Sequence, residues 1–171
     1  DVGAPITVTA LGYYDEFTDG LLEGHEVGIF DSSGSLLVSA SVPLGGGSDL
    51  VSLFRYVGIT PYLLAPGEYT IGATIGADAA DPVIYFANDV STVSAVTIPA
   101  GSARYTESGT YTSLTYPDLP WSPANMYLGP NFQVAAVPEP TTLAFCTLGM
   151  LLVLAVAGNR RSNQLKPCAY S

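Results

Sequence analysis

Positive charge is the scarcest property of this sequence. Lysine and arginine together number 5 in 171 residues, against 15 aspartates and glutamates. Up to residue 137 the only cations are Arg55 and Arg104, set against 14 acids, so this stretch carries a net charge of 2 − 14 = −12. An acidic body of that kind repels phosphate backbones, which argues against nucleic acid as a partner. Cysteine is nearly as rare. Cys146 and Cys168 both lie late in the chain, so no disulfide staples the first 136 residues or reports their compartment. Histidine occurs once, and a nucleophilic triad would have to use His25, yet no Gly-x-Ser-x-Gly elbow presents a serine to it. Paired carboxylates for glycoside cleavage would have to come from the 15 acids, and nothing in their spacing selects two. The chain reads as no enzyme. Amphipathic helices and fixed-period repeats are also missing. No signal peptide is visible, but the chain opens at Asp1 rather than at methionine and is read as processed or trimmed there.

Charged residues make up 12% of the chain, half the globular norm of roughly 25%. Hydrophobic residues make up 48%, enough for one domain with a real core and a surface rich in Gly, Ser, Thr and Tyr. Their spacing has period two. Residues 6–11 alternate as a half-buried strand should, and 26–30 form a second that runs into the turn formers Asp31-Ser32-Ser33-Gly34. Residues 35–42 follow, which makes a hairpin. After the flexible Gly45-Gly46-Gly47-Ser48, residues 50–57 alternate as one further strand. Leu64-Ala65-Pro66-Gly67-Glu68-Tyr69 reads as a tight turn into a strand that starts with a tyrosine, a place from which the hydroxyl bonds back across a sandwich corner. Weaker strands are expected at 83–87, 93–98, 110–115 and 131–135. From Tyr116, the prolines at 117, 120, 123 and 130 surround Trp121 and predict a loop or edge that wraps the core. The expected fold is all-β, a β-sandwich or jelly roll over residues 1–136.

A different composition begins at residue 137. Thr141 to Gly158 is a run of 18 residues with no charge, about 27 Å long as a helix at ~1.5 Å per residue, close to the ~30 Å of a hydrocarbon core. Arg160 and Arg161 follow directly, which predicts a C-terminal transmembrane helix with the body outside and the basic end, 159–171, in the cytoplasm. Val137-Pro138-Glu139-Pro140 stands just before it, its two prolines keeping that stretch extended and accessible.

In that order, Val-Pro-Glu-Pro, apolar helix and Arg-Arg resemble the PEP-CTERM sorting tail of bacteria that make exopolysaccharide; the likeness covers 137–171. It implies a sorting motif of Val137, Pro138, Glu139 and Pro140 with Arg160 and Arg161, and as partner an exosortase-type membrane transpeptidase that recognises Pro138-Glu139-Pro140 and cuts near it. It also implies an inner-membrane intermediate with its body exported, then release to the cell surface or extracellular matrix. The body, in the stretches 6–14, 25–31 and 67–71, looks like the uncharacterised ectodomains of such proteins, which supply no activity. In those relatives a further strand usually precedes the equivalent of Ile6, so the likeness implies a chain that starts inside its domain with an open edge on its first sheet. Cys168-Ala169-Tyr170-Ser171 formally spells a prenylation box, a chance match on a tail of bacterial type.

Two binding readings remain. Asp15 to Glu26 has Asp, Asp, Gly and Glu at positions 1, 5, 6 and 12 of a calcium loop, but Phe17 at position 3 and strand-like flanks depart from an EF-hand. A looser calcium site would use Asp15, Asp19 and Glu23; the alternative is a solvated acidic loop. No other cofactor is expected. Tyr13, Tyr14, Tyr85, Phe86, Trp121 and Tyr127 offer stacking faces, Trp121 foremost, for a module that holds exopolysaccharide, although core packing is the commoner role of such rings. The function expected first is a non-catalytic structural or adhesive surface protein.

Overall fold

The computed structural model describes residues 1–83, 91–106, 112–120 and 129–135. All belong to the first of two units, Asp1–Ala135, the second beginning at Ala136. The expected sorting tail and transmembrane helix, and Trp121, lie outside the described residues. Within them the fold is all-β with no helix: β1 (Ile6–Tyr14), β2 (His25–Asp31), β3 (Leu36–Val42), β4 (Asp49–Val51), β5 (Phe54–Leu64), β6 (Tyr69–Ala73), β7 (Arg104–Tyr105), β8 (Leu119–Pro120) and β9 (Pro130–Val134).

The strands form two main antiparallel sheets, β4-β5-β1-β9 and β3-β2-β6, and a small ribbon of β7 and β8. The two sheets share a core of Ile6, Val8, Leu11 and Tyr13 from β1, Val27 and Ile29 from β2, Val42 from β3 and Leu64 from β5. β1 is paired on both sides, to β5 and β9. Its inward set changes parity, from Ile6 and Val8 to Leu11 and Tyr13. The cause is a bulge: Val8 pairs with Val134 and Ala10 with Gln133, which leaves Thr9 as an extra residue. Since a one-residue shift exchanges the faces of a strand, the bulge lets an apolar pattern broken at Thr9-Ala10 keep one buried face. Opposite it, β5 carries Ile59, Thr60 and Pro61 between the pairs Gly58–Ala10 and Tyr62–Val8.

Residues 50–57 do not form the single strand expected. They divide into β4 and the start of β5, joined at Ser52-Leu53, with Val51 opposite Phe54 and Asp49 opposite Tyr56. The turn places Ser52 at φ 56°, and it escaped the sequence reading because no Gly, Asn or Asp marks it. Residues 93–98 hold a turn and one isolated bridge, Val96 to Val2, rather than a strand. Residues 112–115 are in no strand either, and the remainder of 110–115, like most of 83–87, lies outside the described residues. The β2–β3 hairpin forms as expected: Asp31 accepts hydrogen bonds from Ser33 N, Ser33 Oγ and Ser35 N at 2.9, 2.6 and 2.9 Å. The Ser33 hydroxyl, then the turn's amides, hold the Asp31 carboxyl below its ordinary range. At the β5–β6 corner, Tyr69 Oη donates to the Ala65 carbonyl at 3.0 Å.

The outer face of β2 and β6 is covered as well. Leu114 lies over Gly28, where a Cβ would meet its Cδ2 at 2.7 Å, and Pro117 lies over Gly72. Tyr116 packs edge-on against Phe30 with ring centroids 5.6 Å apart, which leaves Phe30 3% exposed on the face away from the core. The start of the proline-rich stretch therefore wraps the sheet.

Glycines in the first sheet differ in what they permit. A Cβ at Gly12 would stand 2.5 Å from the Tyr56 ring and 2.7 Å from the Arg55 carbonyl, whereas Gly58 faces open space. Gly12→Ala is expected to lower the unfolding free energy by about 1–3 kcal/mol, as overpacking does. Gly58→Ala should raise it by up to ~1 kcal/mol through the strand entropy that glycine forfeits. Denaturant midpoints of the two variants check the contrast.

Candidate functional site

The β1–β2 connection, residues 15–24, holds the densest polar chemistry among the described residues. It begins at Asp15, which is 3% exposed and receives Arg55 Nε at 2.8 Å and Gly20 N at 3.1 Å on one carboxylate oxygen. Arg55 reaches it from β5, at an inward position opposite Tyr13. The rest of the guanidinium serves backbone carbonyls: Thr18 at 3.0 Å from one terminal nitrogen, Gly46 at 3.0 Å and Ser48 at 3.3 Å from the other. One planar cation thus ties the 15–20 loop to the 43–48 loop, using the fork geometry that suits arginine and not lysine.

The connection ends at His25, fully buried at the head of β2. Its ring stacks on Tyr13 with centroids 3.6 Å apart and planes within 3°. Nδ1 lies 2.9 Å from the Thr74 carbonyl and Nε2 2.9 Å from Asp81 Oδ2. Each ring nitrogen thus lies within hydrogen-bond distance of an oxygen, one on the backbone and one on a carboxyl group. Thr74 also holds Glu26, by N–H to carbonyl at 2.9 Å and by accepting Glu26 N on Oγ1 at 2.8 Å.

Two carboxylates then lock these segments in opposite directions. Asp81 accepts the amides of Leu22 at 2.9 Å and Glu23 at 2.8 Å. Glu23 in return accepts those of Ala77 at 2.6 Å, Ala80 at 3.0 Å and Asp78 at 3.2 Å. The Ala80 amide does most to hold the Glu23 carboxyl below its ordinary range, helped by Asp78, Ala77 and the nearby His25, against a smaller desolvation effect. Gly76 makes room for this cradle: it has φ +92°, and a Cβ there would run into the Glu23 carboxylate.

The three acids expected to gather round calcium have separate positions. Asp15 is paired with Arg55, Glu23 is seated on amides and Asp19 is exposed. Among the described residues no three of His, Cys, Asp and Glu come together. Of the aromatic rings considered for sugar, Tyr13 is buried on His25, and Tyr14 is buried with its ring 5.5 Å from Phe54. Tyr85, Phe86, Trp121 and Tyr127, and the motif residues Val137 to Pro140, Arg160 and Arg161, lie outside the described residues. Sequence reasoning missed Asp81 and Thr74 altogether. Arg55, a lone cation at an inward position of an apolar strand, was the one available signal. Comparison with protein-family models, curated proteins and solved structures finds no match.

Removing Asp81 leaves two amides and a buried imidazole without their acceptor, so Asp81→Ala is expected to cost about 3–5 kcal/mol of unfolding free energy in denaturant titrations. Glu23 is more acidic folded than unfolded. Its contribution is therefore complete above the ordinary carboxylate value of 4.5 and is lost as pH falls through the lower folded value. A pH series of denaturant midpoints should show Glu23→Gln with a shallower acid limb than the parent; an identical limb refutes the seat.

Proposed function

We propose that the chain is an exported, non-catalytic surface or matrix protein: a β-sandwich ectodomain delivered by a PEP-CTERM-like sorting tail. The observation that carries this reading is the order of three elements at the C-terminal end, Val137-Pro138-Glu139-Pro140, an uncharged run from Thr141 to Gly158, and Arg160-Arg161. The run matches the length of a membrane core, and the following cations hold its end on the cytoplasmic side. An exosortase-type transpeptidase would cut near Pro138–Pro140 and release the body.

The body's chemistry supports a non-catalytic role. His25, the sole imidazole, has both nitrogens occupied and no exposed surface, so it is closed to a substrate. The buried Asp15, Arg55, Thr74 and Asp81 bind one another, His25 or the backbone. A catalytic group needs at least one face turned to its substrate; these are engaged in holding loops.

Mass spectrometry of native protein from envelope and medium tests the reading. A mature chain ending near Pro140 and found outside the cell is the expected result. Residues 141–171 persisting in the membrane fraction would mean a permanently anchored ectodomain and would overturn release.

A further inference from the structure

Apolar exposure is unevenly distributed over the described surface. Six of the ten large apolar side chains that stand exposed belong to three neighbouring connections: Phe17 and Leu22 to β1–β2, Leu44 to the 43–48 loop, and Leu50, Val51 and Leu53 to the β4–β5 hairpin. All six lie at one end of the two-sheet body, where the β1–β2 connection, the 43–48 loop and the β4–β5 hairpin meet. Phe17 is 72% exposed, Leu22 70% and Leu44 69%. Single exposed leucines are ordinary on a protein surface, whereas a cluster marks a contact site.

The three connections are joined there by backbone bonds. Leu21 and Gly45 exchange N–H···O bonds at 3.3 and 2.7 Å in an antiparallel bridge, which brings Leu22 alongside Leu44. Gly20 packs directly on this loop, its Cβ position 2.8 Å from Gly45 C and Gly46 N. Asp15 N bonds to the Leu53 carbonyl at 2.8 Å, fixing the hairpin to the same end. Beneath them Arg55 holds Thr18, Gly46 and Ser48 by their carbonyls.

This end also stores backbone strain. Thr18, β-branched, has φ 59°, and Ser52 has φ 56°. Such conformations cost of order 1–3 kcal/mol each and persist where surrounding structure enforces them. An end that buries an ion pair and tolerates strain to present apolar side chains on a fixed backbone has already met the ordering cost of a contact.

Charge selects the partner. Glu16, Asp19 and Asp49 are exposed among these apolar groups, and Arg55, the cation of this end, is buried against Asp15. We propose that this end is a docking surface for a protein or peptide of the opposite character, apolar side chains within a rim of lysine and arginine. A second copy of the chain would bring like charge to the contact, and an anionic bilayer would be repelled. The inference does not depend on how the tail is processed.

The test uses the full chain and a short amphipathic peptide of leucine and lysine, with its leucine–glutamate counterpart as control. The lysine peptide should bind and the glutamate peptide should not. Combined Phe17→Ser, Leu22→Ser and Leu44→Ser should weaken binding at least about tenfold without moving the thermal midpoint, since the side chains are exposed. Leu36→Ser with Leu63→Ser, exposed elsewhere, should leave it unchanged. Should the triple variant fail to fold, combined Glu16→Gln, Asp19→Asn and Asp49→Asn supplies the answer by weakening the binding and its salt dependence. Equal binding of both peptides, or binding that survives both sets of substitutions, overturns the proposal. So does self-association, or attachment to phosphatidylcholine vesicles, that the serine variant abolishes.

Discussion

The guanidinium of Arg55 is the hinge of this structure, because the body has almost no other cation to offer. Through residue 137 there are 2 cations and 14 acids, and one of the two is placed inside. There it neutralises Asp15 and satisfies three carbonyls from two loops. Burying a lone charge costs several kcal/mol, and the arrangement is tolerable only because its partners are all present. Without it, residues 15–20 and 43–48 would lose the side-chain tie that reinforces the Leu21–Gly45 backbone bridge, and the end of the first sheet would be left with an unpaired carboxylate.

His25 does the corresponding work for the second sheet, by a different route. The imidazole bridges the Thr74 carbonyl and Asp81, while Glu23 and Asp81 each take amides from the other's segment. The cross-link is reciprocal: each loop supplies a carboxylate and each supplies the amides that receive one. In an acidic protein with few cations, backbone N–H groups take the place of lysines as counter-charges. Three of the fifteen acids, Asp15, Glu23 and Asp81, are thereby drawn into the structure, which explains how so negative a chain packs a compact core.

Much of the fold was legible in residue spacing, and its failures have physical reasons. β1, β2 and β3 follow from alternation, and Tyr69 reaches back to Ala65 as its corner position suggested. The Thr9 bulge was legible only as an irregularity, Thr9-Ala10-Leu11, whose meaning depends on what β5 and β9 place opposite. The Ser52-Leu53 turn was hidden because serine there adopts a conformation that sequence normally marks with glycine. The site was least legible. Asp15, Asp19 and Glu23 were grouped because they are close in sequence, yet Asp15 is paired 40 residues away and Glu23 sits on amides more than 50 residues on. Asp81, among alanines, carried no local sign that it would meet His25. Periodicity reports which face is buried; it does not report which buried polar group finds which partner.

Pro61 has a wider consequence. β4 pairs only with Phe54 to Tyr56, and beyond that the outer side of β5 has no strand beside it among the described residues. An exposed strand edge is a template on which chains zip together. A proline there supplies no amide, and the irregular stretch around it interrupts the hydrogen-bonding rhythm that an incoming strand would need to match. This length of the β5 edge is therefore closed to strand addition, and a neighbour meeting the molecule along it would have to be held by side chains.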